Sequence, residues 1–461
     1  MARGSRVRGL VAAVFASALC APDVCADATS SGPATTGGVS LGLRGGKPPI
    51  PKRSHSCVGE FQTSEATSTL VVKGLHSASA SHEVHAKFMR LDHLSDWLPM
   101  QVHESKLSWK GHKVGVDETV LDGVFLDSDR AKEKKITIRQ WVRAGPRALL
   151  YFDPPQVRAA IVTCGGLCPG LNNVIKAVTE CLLNAYGAAK VFGIQFGYKG
   201  FLEETPFVDL TLDKVSSIHR RGGTILGSSR GNNPHNHMDT IMDRLTAEGI
   251  NQVYVVGGDG THKGANAISR EAAKRKYPMT VCGVPKTIDN DVAFIDKSFG
   301  FETAVAEAVK VIKCAKIEAE DAHNGVAIVK LMGREAGFVA MHATMAANDV
   351  NICLIPEAPF SLDKLCESVG AVLDRNGHCV IVVAEGAGAE HFDGIDLGKD
   401  PSGNKRLPDI GTLLKDRTKA FWAAKGRPIE VRLIDPSYQV RLAIVSDECM
   451  HVYAYDRGSP N

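Results

Sequence analysis

The chain has 461 residues, a formal net charge of +3, and 44% hydrophobic and 23% charged residues, which is ordinary for a large soluble enzyme of two or more domains. Basic and acidic residues are interspersed without a long Lys/Arg block, which argues against nucleic-acid binding. The 12 cysteines are scattered, and Cys164 and Cys168 do not form a CxxC pair, so we expect reduced thiols and neither a disulfide framework nor a metal site.

Residues 1–59 have the composition of a targeting leader. Arginines at 3, 6 and 8 precede the apolar run 10–21 and a small-residue cleavage site at 24–26, as in a secretory signal peptide. The run is too short to span a membrane. Residues 28–59 lack acidic residues and are rich in Ser, Thr and Gly, as in a transit peptide. Together they predict plastid import and a mature form without a membrane segment. The alternatives are a disordered extension or a misplaced start codon, which leave a cytoplasmic protein.

Two glycine-rich loops follow in the next part of the chain. The first, CGGLCPGLN at 164–172, lies between a predicted strand at 159–162 and a helix at 174–185. The second, RGGTILGSSRG at 221–231, contains Arg230, whose guanidinium suits charge-assisted contacts with phosphate. Several such loops in one domain predict at least one polyphosphate ligand.

A third loop, GGDGT at 257–261, follows a buried strand predicted at 252–256 and precedes a helix that we expect to begin near Lys263. Glycines let backbone N–H groups approach an anion, a helix N-terminus adds positive partial charge, and Asp259 could hold Mg²⁺. The alternative is a tight turn from strand to helix with no ligand.

The run PKTIDND at 285–291 ends a predicted strand at 281–284, and open α/β sheets place their ligands at such strand ends. In extended chain, Asp289 and Asp291 would point to one face, where one carboxylate could accept a proton and the other could orient it or a metal. The alternative is an Asx turn that caps the following helix.

Apolar runs alternate with helical patterns over the rest of the chain. The runs lie at 191–194, 253–256, 281–284, 326–331, 352–355 and 379–383, and helices are predicted at 303–320 and 335–347. This order predicts an α/β fold with doubly wound parallel sheets. In the helix that starts near His237, residues Met238, Ile241, Met242 and Leu245 recur at helical spacing and are predicted to pack in the core.

The ordered motifs are similar to those of the 6-phosphofructokinases, and most closely of the plant-type ATP-dependent branch. They are CGGLCPGLN, GGTILGSSRG, GGDGT, PKTIDND, FGFETA, KLMGREAGF, AEGAG and DPSYQVR. The resemblance runs from about residue 92 to 441, and residues 143–147 and 151–152 resemble the amino-terminal extension of plant-type proteins. It divides the chain into a leader (1–59), an extension (60–155), a catalytic region (156–441) and a divergent tail (442–461).

The resemblance implies two Rossmann-like lobes with the active site in the cleft between them. It also implies a homo-oligomer that transfers the γ-phosphoryl group of ATP, with Mg²⁺, to the 1-hydroxyl of fructose 6-phosphate in glycolysis. Such a transfer depends on positioning and charge neutralisation.

The resemblance also assigns site residues. Asp289 matches the general base, Asp259 matches the Mg²⁺ ligand, and Asp291 would support it. The positions that match ATP contacts are Gly166, Arg230, Gly231, Gly258, Asp259, Gly260 and Thr261. The positions that match sugar-phosphate contacts are Thr287, Asp289, Met332, Gly333, Arg334, Glu385, Arg432, Tyr438 and Arg441. From the residues alone, Met332 could simply fill the core and Glu385 could cap a helix.

Two positions bear on the phosphoryl donor. In this family, ATP users have glycine after the GGD aspartate and pyrophosphate users have aspartate, so Gly260 predicts ATP. A side chain there would fill the space of the α-phosphate and oppose its charge. Lys286 favours pyrophosphate instead, since pyrophosphate enzymes carry lysine at this place. The plant-type branch, however, combines glycine at the first position with lysine at the second. We therefore predict ATP, with pyrophosphate as the alternative.

The chain departs from the family at its carboxyl end. The family continues well past the Tyr-x-x-Arg motif, whereas residues 442–461 are short and divergent. Gly325 also stands where bacterial relatives supply an arginine across a subunit contact, although plant-type relatives lack it too. A non-catalytic regulatory subunit is therefore a further alternative. The intact residues Asp259, Asp289 and Arg334 argue against it. A lipid or NAD kinase would share GGDGT but not PKTIDND.

Overall fold

The computed structural model describes the chain from residue 149 to 445, apart from 232–233, 293–294, 296 and 400–404. Before residue 149 it describes only the segments 65–73, 81–89, 103–104, 118–121 and 136–142. The predicted leader and residues 446–461 of the tail lie outside the described residues. The chain divides into two compact units, with the boundary between Tyr151 and Phe152.

The first unit, residues 21–151, contains six strands among its described segments. Four of them form a sheet in the order β1-β2-β5-β4, in which β2 and β5 run parallel and the other pairs antiparallel. Two short strands, β3 and β6, pair separately and antiparallel. The strands are β1 (Glu65–Lys73), β2 (Ser81–Met89), β3 (His103–Glu104), β4 (Thr119–Leu121), β5 (Ile136–Val142) and β6 (Leu149–Leu150).

The second unit begins with a five-stranded sheet in the order β11-β10-β7-β8-β9. Its neighbours run parallel except for β8 and β9. Its strands are β7 (Arg158–Thr163), β8 (Lys190–Ile194), β9 (Val208–Asp209), β10 (Gln252–Gly257) and β11 (Thr280–Pro285). The central strands β7 and β10 are almost continuously apolar and buried, as expected for a parallel sheet covered on both faces.

Among the described residues, four α-helices connect these strands: α1 (Leu171–Glu180), α2 (Leu212–Val215), α3 (Met238–Ala247) and α4 (Asp259–Lys274). The predicted core residues Ile241, Met242 and Leu245 of α3 are fully buried. Our expectation that a helix begins near Lys263 is wrong by four residues, because α4 starts at Asp259 with Gly258 as its N-cap. The GGDGT loop is therefore itself the first turn of a helix.

A second sheet of four parallel strands has the order β13-β14-β12-β15. Its strands are β12 (Gly325–Leu331), β13 (Ile352–Leu354), β14 (Cys379–Ala384) and β15 (Glu430–Ile434). The helices of this half are α5 (Phe301–Asp321), α6 (Phe338–Ala347), α7 (Leu362–Asn376), α8 (Ile410–Ala424) and α9 (Ser437–Leu442). The two sheets with their connecting helices confirm the predicted α/β fold with two lobes.

The long helix α5 joins the two lobes. Its residues Ala304, Ala308 and Ile312 are fully buried in one core that also contains Val256 of the first sheet and Val329 of the second. The lobes therefore share a hydrophobic core, and the loops at their strand ends are held on a common frame. Among the described helices, none is long and apolar enough to cross a membrane.

Candidate active site

The candidate site lies at the carboxyl ends of the first sheet's strands. The N–H of Cys164, just after β7, donates to the carbonyl of Val256 in β10 at 2.8 Å. The N–H of Lys286, just after β11, donates to the carbonyl of Gly257 at 2.9 Å. Three of the four segments predicted to carry chemistry therefore leave the sheet side by side, as expected for neighbouring parallel strands.

A groove of about 700 Å³ runs between two of the glycine-rich loops. Its wall includes Gly165, Gly166, Gly223, Ser228, Arg230 and Arg441. A Cβ placed on Gly166 would lie 2.6 Å from Arg441 Nη2 and 3.3 Å from Arg230 Nη2. Two guanidinium groups therefore converge on Gly166, an arrangement that suits contacts with phosphate groups.

The second glycine loop is held against the first by a network that the sequence analysis did not anticipate. The amide of the buried Asn172 donates to the carbonyl of Arg221 at 2.9 Å, and its Oδ1 accepts from the N–H of Ile225 at 2.8 Å. The Ser228 hydroxyl donates to the carbonyl of Gly165 at 2.5 Å. The only sequence signal was Asn172 itself, a polar residue beside the apolar face of a helix.

The GGDGT segment presents its polar groups at the N-terminus of α4. Asp259, Gly260 and Thr261 occupy the first turn, where free N–H groups and the helix dipole favour anions. The turn is anchored by Tyr198, a residue that sequence analysis also missed, whose hydroxyl donates to the carbonyl of Thr261 at 2.7 Å. A Cβ on Gly258 would meet nothing closer than 3.8 Å, so the surface beside it is open.

Lys286 is buried where these loops meet, 9% exposed, with its Nζ 3.7 Å from the position of a Cβ on Gly165. Burial lowers the pKa of this ammonium group, Cys168 acts in the opposite direction, and the nearby Arg441 and Arg230 lower it further. The donor-related lysine thus joins the two arginines in one positively charged cluster.

Asp289 is the buried carboxylate of the site, 7% exposed, and within the described structure its Oδ1 has no hydrogen-bond partner. Burial raises its pKa to about 7, with the charges of Asp291 and Glu385 adding to the effect and Arg334 opposing it. A carboxyl group with such a pKa is partly ionised at neutral pH and can accept a proton.

The backbone around Asp289 is a turn and not the extended chain that we expected. Asn290 has φ 57°, a left-handed conformation that asparagine tolerates. Asp289 is consequently buried while Asp291 is exposed and accepts a 2.7 Å hydrogen bond from the Thr287 hydroxyl. The turn caps no helix, since α5 begins later, after Gly300.

The second lobe contributes Met332, Gly333, Arg334 and Glu385 at the ends of β12 and β14. The N–H of Glu385 donates to the carbonyl of Leu331 at 2.8 Å, and the N–H of Gly386 to that of Gly333 at 3.0 Å. Burial raises the pKa of Glu385, while the charges of Arg334 and Lys330 lower it. Glu385 does not cap a helix, because the next helical turn begins at Ala389 after Gly388. Met332 is half-buried against the core, which agrees with a packing role.

The three remaining predicted sugar-phosphate residues, Arg441, Tyr438 and Arg432, lie in different environments. Arg441, on α9, reaches across to the first lobe, where its Nε donates to the carbonyl of Leu167 at 3.4 Å. Tyr438 is 78% exposed on the same helix. Arg432 lies within β15 opposite Ala327 and forms an ion pair with Glu318 at 3.3 Å. The structure does not bring Arg432 to the cluster around Asp289.

The donor set suits a magnesium ion that is shared with phosphate. Mg²⁺ in proteins takes oxygen ligands and usually binds through one or two carboxylates together with substrate phosphates and waters. Asp259 supplies an exposed carboxylate in the first turn of α4 and is the residue that would hold the ion. Among the described residues, no group of three or more His, Cys, Asp or Glu side chains could hold a metal alone.

Comparison with known proteins identifies the family. The phosphofructokinase family model matches residues 158–429. The chain is 47% identical over 338 residues to ATP-dependent 6-phosphofructokinase 1 of Arabidopsis thaliana. The aligned residues cover 70% of each chain. It is also 42% identical over 343 residues to ATP-dependent 6-phosphofructokinase of Borreliella burgdorferi, covering 72% of this chain and 75% of that protein. The chain belongs to the phosphofructokinase family, and the predicted resemblance is confirmed.

A solved structure agrees at the level of the fold. Pyrophosphate-dependent phosphofructokinase from Marinobacter aquaeolei aligns with a TM-score of 0.52 at 24% identity, covering 65% of this chain and 73% of that one. The likeness supports the two-lobed α/β architecture. The names of the more similar relatives agree with the predicted enzyme class, a phosphotransferase.

Proposed function

We propose that this chain is an ATP-dependent 6-phosphofructokinase that phosphorylates the 1-hydroxyl of fructose 6-phosphate to give fructose 1,6-bisphosphate. The observation that carries the proposal is the buried Asp289, whose pKa is raised to about 7, three residues after the Lys286 that lies beside the groove-lining Gly165. The groove suits the phosphate chain of the donor, and the carboxylate suits the proton of an attacking hydroxyl.

In this proposal, Asp289 is the general base. Its Oδ1 accepts the proton as the sugar oxygen attacks the γ-phosphorus, and burial keeps water from competing for that atom. A hydrogen bond from the Arg334 backbone, and then the Arg334 charge, oppose the rise in the pKa of Asp289 and keep a useful fraction of the carboxylate ionised. The base is therefore poised near physiological pH, where general-base catalysis is most effective.

Charge neutralisation is the second part of the mechanism. Arg230 and Lys286 bring two basic side chains to the Gly165–Gly166 loop, where they would contact donor phosphates and stabilise charge on the transferred group. Asp259 would hold Mg²⁺, which supplies further neutralisation at the β- and γ-phosphates. The first-turn N–H groups of α4 add positive partial charge.

ATP as donor follows from Gly260, which is exposed in the first turn of α4 and leaves room for an α-phosphate. The names of the relatives in Arabidopsis and Borreliella agree with this donor. Pyrophosphate is the second candidate, because Lys286 lies beside the Gly165 loop where a shorter donor would also be held.

For the sugar phosphate, we assign Thr287, Gly333, Arg334, Glu385, Tyr438 and Arg441. Arg334 and Glu385 both influence the charge of Asp289, so they lie near the reacting atoms. Arg432 would serve this site only if a second subunit supplied it, since within one chain it pairs with Glu318.

A homo-oligomer is also proposed. Ile317 on α5 and Met345 on α6 are 59% and 68% exposed, and their two helices pack against each other, so each residue offers apolar surface to a second copy. Sedimentation equilibrium tests this, and a monomer at micromolar concentration would contradict it.

Plastid targeting is proposed from the leader and from relatives named chloroplastic, among them ATP-dependent 6-phosphofructokinase 5 of Arabidopsis thaliana at 47% identity over 353 residues. A cytoplasmic location is the alternative. Imaging of the full chain fused to a fluorescent protein separates the two, and a cytoplasmic signal would contradict plastid import.

The proposed function is tested by assaying the purified full chain with fructose 6-phosphate, Mg²⁺ and either ATP or pyrophosphate. We expect fructose 1,6-bisphosphate to form with ATP. Product with pyrophosphate alone would mean that Lys286 outweighs Gly260. A folded protein that forms product with neither donor would favour a non-catalytic regulatory subunit.

A further inference from the structure

Lys330 forms ion pairs with Asp409 and Asp435 at the end of the second sheet, and these three residues are called the clasp below. Lys330 lies near the end of β12, its side chain is 17% exposed, and its Nζ lies 2.9 Å from Asp409 Oδ1 and 2.9 Å from Asp435 Oδ2. Burial acts to lower the pKa of Lys330, but the hydrogen bonds with Asp435 and Asp409 outweigh it and raise that pKa. The pKa values of both aspartates are lowered by hydrogen bonds that include Lys330, against the effect of burial.

Each aspartate of the clasp lies close to the start of a helix. Asp409 is the N-cap residue of α8, and its Oδ2 accepts a 2.6 Å hydrogen bond from the Thr412 hydroxyl. Asp435 directly follows β15, and its Oδ1 accepts a 3.1 Å hydrogen bond from the N–H of Ser437, the first residue of α9. Lys330 therefore ties the starts of two helices to one strand.

Helix α9 is short and carries functional side chains. Its six residues include Tyr438 and Arg441, and Arg441 reaches the first lobe at Leu167. A helix this short has little stability of its own, so its direction depends on what holds its ends. The charges of Lys330, Asp435 and Arg441 also all act on Glu385, which places the clasp beside the sugar-phosphate residues.

We propose that Lys330 is a positioning residue for the sugar-phosphate site, which through Asp435 fixes the start of α9 and thereby the placement of Tyr438 and Arg441. This inference rests on the proposed function, because it assigns Tyr438 and Arg441 to fructose 6-phosphate. The Lys330 ammonium does not touch the substrate. Its role is to hold the helix in the orientation that lets Arg441 span the cleft.

The test compares two variants that open the clasp differently. Lys330→Met removes the cation and leaves two aspartates without their partner. Asp435→Asn breaks the link to α9 while Lys330 remains paired with Asp409, so the protein should fold even if Lys330→Met does not. In both variants we expect KM for fructose 6-phosphate to rise about 10- to 100-fold, the scale of a misplaced binding group. KM for ATP should stay within about twofold, since the GGDGT turn is anchored separately by Tyr198.

Two controls separate positioning from general stability. Lys316→Met removes a lysine that also pairs with two carboxylates, Asp349 at 2.8 Å and Glu320 at 3.7 Å, and should leave both KM values unchanged. Asp409→Asn loosens α8 but keeps the link to Asp435, and should also leave KM for fructose 6-phosphate unchanged. A normal KM for fructose 6-phosphate in folded Asp435→Asn, or an equal rise in both KM values, would overturn the inference. Absence of fructose 6-phosphate activity in the unchanged chain would instead overturn the proposed function.

Discussion

Replacing Asp289 with asparagine is expected to lower kcat by about 10²- to 10⁴-fold or more while the affinity for ATP stays nearly normal. Asparagine keeps the shape of the side chain but cannot accept the proton at Oδ1, the atom without a partner among the described residues. The variant should be at least as stable as the original chain, because a buried carboxylate is costly to ionise and an amide is not. Steady-state kinetics and ATP titration calorimetry measure the two effects.

The control for this variant is Asp393→Asn, which makes the same chemical change at an exposed position. Its kcat should match that of the unchanged chain. Near-normal turnover in Asp289→Asn would remove the general base from the mechanism. A loss of ATP affinity equal to the loss of kcat would mean that Asp289 acts by holding the nucleotide.

Replacing Gly260 with aspartate is expected to weaken ATP binding by about 10²-fold, because a like charge would be placed against the donor phosphates. The fold should tolerate the change, since an acidic residue in the first turn of α4 interacts favourably with the helix dipole. Thermal stability should therefore be maintained while KM for ATP rises and KM for fructose 6-phosphate stays the same.

Gly260→Asn separates charge from size in this experiment, because its side chain has almost the same volume without the charge. We expect an intermediate loss of ATP affinity, due to the filled space alone. If Gly260→Asp had unchanged ATP kinetics, the explanation of donor choice by Gly260 would be wrong. If the two variants were equally impaired, space and not charge would decide the donor.

The position of the site was predictable because glycine loops and polar residues directly follow apolar strands. Residues 164–172, 257–261 and 285–291 indeed lie at the carboxyl ends of β7, β10 and β11. Local signals gave the wrong start for α4, because the glycine at 260 suggested loop where tertiary contacts, including the Tyr198 hydroxyl on Thr261, support a helical turn.

Contacts between distant parts of the chain could not be read from the sequence. The burial of Asp289 and the exposure of Asp291 depend on the left-handed Asn290, and local spacing had suggested one common face. The clasp of Lys330 with Asp409 and Asp435 joins residues far apart in sequence, so no local pattern indicates it. The family resemblance supplied roles for Arg441 and Arg432, but only the structure shows that one chain brings the first to the cleft and pairs the second with Glu318.

The pH dependence of kcat/KM for fructose 6-phosphate tests the role of Asp289 most directly. A general base must be ionised, and the pKa of Asp289 is raised to about 7, so kcat/KM should fall as the pH drops through that value. Dividing the rates of the unchanged chain by those of Asp289→Asn at each pH cancels the titration of the substrate phosphate. We predict that this ratio rises with pH and levels off above about pH 8, one unit past the pKa. A ratio that stays constant from about pH 5.5 to pH 8.5 would contradict the account.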